Sequence, residues 1–116
     1  MTPTAQDGPV LPEAVRRYQD AHDHHATETA LSAFTPDATV TDENSTYRGR
    51  DQIRGWLETA ATEFTYIRTF VKAEQTSPTT WVVANHLEGD FPGGHVVLRY
   101  RYTLTGGLIS ALTIAP

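Results

Sequence analysis

The 116-residue sequence contains no cysteine, which excludes disulfide scaffolds, thiolate metal centres and cysteine nucleophiles. It also lacks a long apolar run. Its longest stretch without a charged side chain, after Arg101, is broken by a glycine pair and by hydroxyl residues, so no span of ~20 apolar residues exists for a transmembrane helix. Basic residues are scarce: 9 Lys and Arg stand against 14 Asp and Glu, for a formal net charge of −5, and Lys72 is the one lysine. That balance provides no electrostatic footprint for nucleic acid or an anionic membrane surface, and neither is expected as a partner. The start of the chain has no basic cluster and no apolar stretch of signal-peptide length, so a cytoplasmic location is expected. P-loop, dinucleotide-binding and Ser-His-Asp patterns are likewise missing, and the glycine pairs 93–94 and 106–107 sit in turns rather than before helices.

What remains is a pattern that changes character along the chain. Residues 1–10, rich in Thr, Pro and Gly, read as a flexible N-terminus, and 11–116 as one domain. Leu11, Val15, Tyr18 and Ala21 or His22 recur at helical spacing; Ala30, Leu31 and Phe34 form a second short apolar face after Thr27, closed by Pro36. Ile53, Trp56, Leu57, Ala60 and Ala61 give a third amphipathic helix. After Thr62 the pattern becomes that of strands. The clearest period-two signal is the alternation of Val96, Leu98, Tyr100, Tyr102 and Leu104 with His95, Val97, Arg99, Arg101 and Thr103. Helices are predicted over 11–24, 27–34 and 50–62, and strands over 38–42, 64–75, 80–89, 95–104 and 107–114, with a short partner strand around Thr46 and Tyr47. Helices followed by a strand meander mean an α+β fold with an antiparallel sheet packed against N-terminal helices.

The segments Phe34-Thr35-Pro36-Asp37-Ala38-Thr39-Val40-Thr41-Asp42, Tyr47-Arg48-Gly49-Arg50-Asp51-Gln52-Ile53 and Tyr102-Thr103-Leu104-Thr105-Gly106-Gly107-Leu108-Ile109 carry a resemblance. The chain resembles the nuclear transport factor 2-like superfamily, which includes SnoaL-like cyclases and ketosteroid isomerases. The resemblance implies a cone: a curved sheet wrapped around the first helix, a cystatin-like roll, with a hydrophobic pocket inside. It also implies a homodimer formed through the outer sheet face, where Arg99, Arg101 and either Trp81 or His86 would meet the partner.

Asp42 is the foremost candidate for chemistry. It shares a strand face with Ala38 and Val40, so it should look into the same interior nearer the mouth, where an apolar setting raises a carboxyl pKa toward that of a general base or acid. The resemblance adds that Tyr18, 24 residues before Asp42, matches the spacing of the oxyanion-binding Tyr and the Asp base of ketosteroid isomerases. The second oxyanion donor of those enzymes has no equivalent; His95 or Val96 stands near its place. Expected pocket residues are Phe34, Val40, Trp56, Asn85, His86, His95, Val96, Leu98, Tyr100 and Tyr102, with Asn85 and His86 on opposite faces so that only one looks inward. The run Asp20-Ala21-His22-Asp23-His24-His25 reads as a polar helix end rather than a metal site, because His22 and His24 diverge on a helix. The function expected is a cofactor-free isomerase, lyase or cyclase acting by proton transfer on a hydrophobic small molecule. The alternative is a non-catalytic module of the same fold that binds an apolar ligand or dimerises.

Overall fold

Apolar spacing on the helices and alternation on the strands leave each element with one face to bury, and the chain solves this by wrapping a sheet over the helices. The computed structural model describes residues 11–59 and 63–116. The expected flexible residues 1–10 and the end of the third predicted helix, 60–62, lie outside the described residues. The elements are α1 (Glu13–Asp23), α2 (Thr27–Leu31), β1 (Phe34–Asp42), β2 (Ser45–Arg48), α3 (Gly49–Glu58), β3 (Tyr66–Ser77), β4 (Thr80–Gly89), β5 (His95–Thr105) and β6 (Leu108–Ala115). None of the described helices is long and apolar enough to cross a membrane.

The six strands form one curved, unclosed sheet in the order β2-β1-β6-β5-β4-β3. Four pairings are antiparallel, but β1 runs parallel to β6, so the sheet is mixed rather than wholly antiparallel. No hairpin joins β1 to β6, so no tight turn dictates their relative direction. Register shifts interrupt the ladder at Phe34/Thr39, Phe70/Lys72, Gln75/Ser77 and Thr103/Leu104. Irregularities of this kind bend a strand and sharpen its twist, which curls the sheet around the helices.

The second helix is shorter than expected. It ends at Leu31, and Phe34 opens β1. Ala30, Leu31 and Phe34 are all buried, so their spacing reported burial correctly and the backbone wrongly. Pro36 does not end the helix; it lies exposed in the interrupted stretch between Phe34 and Thr39, where its missing N–H breaks no ladder bond. Helix α3 begins after Arg48, whose backbone N–H donates to the Gln52 side chain at 2.8 Å, so a side chain of the first turn satisfies the N-cap amide. The core packs Val15 and Tyr18 of α1 and Ile53 and Trp56 of α3 against Phe34, Val40, Tyr102, Ile109 and Leu112 of the sheet.

The far edge of the sheet depends on Gly89. It pairs directly with Tyr66, and a Cβ on it would collide with the Thr65 carbonyl and lie 2.6 Å from the Tyr66 Cβ. These are largely backbone neighbours with little room to give. Gly89→Ala is therefore expected to destabilise the fold by about 1–3 kcal/mol, the usual scale for overpacking, measured by urea unfolding.

Candidate functional site

The register across the concave face decides which side chains reach open space. Val40, Leu112, Tyr102 and Trp81 lie opposite one another in successive strands, as do Asp42, Ile114, Tyr100 and Val83. Leu98 faces Asn85 and Phe70, and Val96 faces Leu87 and Arg68. The row through Val40 and Tyr102 is sealed beneath the helices. Two residues further along, the row through Asp42, Ile114 and Tyr100 borders a partly open cavity of about 280 Å³. Its other walls are Tyr18, Gln19, His22 and Asp23 of α1, Trp56 of α3, and Phe64, Tyr66, Arg68, Phe91 and Pro92 at the edge.

At one end stands Asp42. Its carboxyl accepts a hydrogen bond from the Trp56 indole N–H at 3.1 Å. Half-burial pushes its pKa above the ordinary carboxylate value and outweighs the Trp56 hydrogen bond, which favours the charged form. Neither Arg48 nor Arg50 pairs with it; Arg50 instead donates to the Phe34 carbonyl at 2.6 Å. Tyr18 lies 2 % exposed, with its ring edge-on to Phe34 and His22. Burial, reinforced by Tyr102 and Tyr100, holds its phenol well above the usual range, so it is a neutral donor at every physiological pH. Tyr66 is pushed up to about 12 by burial and then by Asp23, and Tyr100 is raised still further by burial. The cavity therefore presents protonated hydroxyls.

The other end is organised by Arg68. Its guanidinium grips Asp23, with Nε 3.1 Å from both carboxylate oxygens and one terminal nitrogen at 2.7 Å. The remaining nitrogen donates to the Gln19 side-chain oxygen at 3.0 Å and to the Asn85 oxygen at 3.4 Å. Gln19 passes the chain on, donating to the Tyr102 hydroxyl at 3.0 Å. Burial opposes the Arg68 charge, but the Asp23 contacts outweigh it. His22, between Tyr18 and Tyr66, has its pKa lowered chiefly by burial. A second cavity of about 250 Å³ shares His22, Asp23, Phe64, Tyr66 and Arg68 with the first.

Of the residues singled out in the sequence, Asp42, Tyr18, Trp56, Val96, Leu98 and Tyr100 line the cavity. Phe34, Val40 and Tyr102 do not; they belong to the sealed core, deeper along the same sheet face. Asn85 faces inward but is wholly buried behind Arg68. His86 and His95 are corrected: both lie on the outer face, opposite Thr69 and Glu88 in the ladder, with their rings 5.7 Å apart. Strand parity places them there, because Asn85 and Val96 take the inward positions. Val96 rather than His95 therefore stands where a second oxyanion donor was sought. Trp81 pairs with Tyr102 and so belongs to the inner side. The polar and titratable lining residues missed were Gln19, His22, Asp23, Glu43, Tyr66 and Arg68, and the apolar ones Phe64, Leu87, Phe91, Pro92 and Ile114. His22 was legible as the residue four after Tyr18; the Arg68–Asp23 contact, 45 residues apart in the chain, left no local signal.

The raised Asp42 pKa has a consequence for stability. The folded state holds that proton more tightly than the unfolded chain does. The contribution is full below the unfolded pKa of ~3.9 and is lost as pH rises through the folded value, so the ionised carboxyl costs stability at neutral pH. Asp42→Asn keeps an acceptor for Trp56 and cannot ionise. It is expected to raise the melting temperature at pH 7 and to leave it unchanged near pH 3, read by thermal unfolding at both.

The SnoaL-like domain family matches residues 15–111. A Sinorhizobium meliloti protein described as a candidate polyketide cyclase superposes with a TM-score of 0.84 at 30% identity, covering 90% of this chain and 95% of that one. A Catenulispora acidiphila protein with a ketosteroid isomerase-like fold, in complex with trimethylamine, gives 0.79 at 20% identity over 92% and 87% of the two chains. A Mycobacterium tuberculosis protein in complex with estradiol-17β-hemisuccinate gives 0.74 at 17% identity over 89% and 90%. No curated protein matches the sequence. The family match over most of the chain, and the cone of curved sheet and helices, make this protein a member of the SnoaL-like family within the nuclear transport factor 2-like superfamily.

Proposed function

We propose that the protein is a cofactor-free isomerase, lyase or cyclase that moves a proton on a hydrophobic small molecule held in the cavity. The observation that carries this reading is the Asp42 carboxyl, half-buried at the end of the cavity and oriented by the Trp56 indole. Asp42 takes the proton from the substrate carbon. Its raised pKa brings it nearer to that of a useful base, and Trp56 holds its second oxygen in place. Tyr18 donates its hydroxyl to the oxygen on which negative charge develops. Leu87, Val96, Leu98 and Ile114 give the cavity an aliphatic wall for the apolar part of the substrate. The steroid ester bound by the Mycobacterium tuberculosis neighbour supports a hydrophobic ligand in a cone of this shape. A non-catalytic binding role is favoured by one feature alone: Val96 occupies the place of a second oxyanion donor.

The measurement is deuterium uptake from D2O at the α-carbon of a panel of cyclic ketones and enones, followed by proton NMR. Asp42→Asn is expected to slow uptake by about 10²–10⁴-fold, the scale of general-base catalysis. Tyr18→Phe is expected to slow it by about 10²–10³-fold. Uptake that is unchanged in both variants overturns the catalytic reading.

The outer sheet face supports a homodimer. Ile67 is 72% exposed and Val97 47% exposed, and His86, His95, Arg99 and Arg101 share that side. Exposed apolar side chains set among polar ones, on a sheet face that no described helix covers, are suited to an isologous contact. Light scattering at micromolar concentration is expected to give twice the 12.8 kDa of one chain, and Val97→Glu to return the mass to a single chain.

A further inference from the structure

We propose that the cavity selects an organic cation, so that the substrate is a hydrophobic carbon acid carrying a positively charged nitrogen. The inference rests on the cavity being the ligand site.

The walls are unusually rich in π faces. Tyr18, Trp56, Phe64, Tyr66, Phe91 and Tyr100 all border the space. Phe64 and Phe91 meet edge-on at 6.2 Å on the rim, and His22 bridges Trp56 and Tyr66 at 6.3 and 6.4 Å. An ammonium within about 6 Å of such faces is attracted by the ring quadrupole, most strongly by tryptophan. Trp56 is a better host than an isolated indole, because its N–H points at the Asp42 carboxyl and donation to an anion enriches the ring.

The charges point the same way. The cavity is lined by three carboxyl side chains, Asp23, Asp42 and Glu43, and by one guanidinium, Arg68. Arg68 is already committed to Asp23, Gln19 and Asn85, so it is not available to hold an anionic ligand. The lowered pKa of His22 keeps that imidazole neutral near pH 7. Asp42 and Glu43 are thus left without a cationic partner among the described residues.

Glu43 supplies an independent observation. With Asn44 it makes the two-residue turn between β1 and β2, and both residues are left-handed, with φ of 51° and 66°. Turns of this kind favour Asn and Gly, and a glutamate at the first position costs stability. Of the two turn residues, Glu43 is the one that borders the cavity.

The test uses a pair of probes of equal shape, benzyltrimethylammonium and neopentylbenzene, which differ in a charged nitrogen against a carbon. Each is titrated into the full chain while the Trp56 indole N–H signal is followed by NMR, assigned with Trp81→Phe. The cation is expected to bind about tenfold more tightly than its neutral twin. In Glu43→Gln, an exposed substitution that relieves no packing, that gap should shrink about two- to fivefold. Equal or tighter binding of neopentylbenzene overturns the inference and leaves the cavity standing as a site for neutral ligands. If neither probe moves the Trp56 signal while a neutral steroid does, the inference falls alone. If none of the three moves it, the inference and the proposed function fall together.

Discussion

Arg68 ties the first helix to the far side of the sheet, and the cavity exists between the two. Its side chain crosses from β3 to Asp23 and Gln19 on α1, and touches Asn85 on the way. A guanidinium only 16% exposed is tolerable because nearly every N–H has an acceptor. Removing one partner would leave a charge buried without compensation, which is costlier than the pair is worth. The bridge therefore works as a spacer. It spans helix and strand with a long polar side chain, and the cavity opens beside it.

The opposite end of the cavity follows a different economy. Asp42 is held by one hydrogen bond and has no ion pair among the described residues, so burial dominates and its proton is bound more tightly than in the open chain. An asparagine there would serve the fold better. Glu43 repeats the pattern one residue later, in a backbone conformation that suits asparagine or glycine. Two neighbouring acids that each work against stability lie at the mouth of the same space, whereas the acid at the other end, Asp23, is fully used in holding the fold together. Position on the page of the sequence does not distinguish these roles; the partner does.

Most of the architecture was legible because it is periodic. The β5 alternation placed Val96, Leu98 and Tyr100 on one face and Arg99 and Arg101 on the other; the same parity puts His95 outside, against its expected place in the pocket. The resemblance over Phe34–Asp42 brought Tyr18 and Asp42 to one cavity across 24 residues. Depth was not legible. Val40 and Asp42, or Tyr102 and Tyr100, share a face, and only the pairing register shows that a two-residue step separates sealed core from open space. Phe34 was misread because a short apolar run satisfies helix and strand alike. The Arg68–Asp23 bridge was invisible for a simpler reason: a long-range ion pair depends on the fold and leaves no pattern in either local segment.

On the proposed function, these asymmetries favour one orientation of the substrate. Along the cavity the Arg68 end offers a charge already neutralised, the middle offers hydroxyls that remain protonated, and the Asp42 end offers carboxyls without a cation. In the proposed proton transfer, an oxygen that gains negative charge would find donors in the tyrosines and repulsion at Asp42, so it would lie toward Tyr18 and away from the acids. The carbon that gives up the proton would lie toward Asp42. A positive nitrogen near Trp56 and Glu43 would then stand beside the departing proton, where it acidifies the carbon and is itself stabilised by the acids. One placement thus satisfies the hydroxyls, the base and Trp56 together, whereas the reverse placement sets the developing negative charge beside the acids.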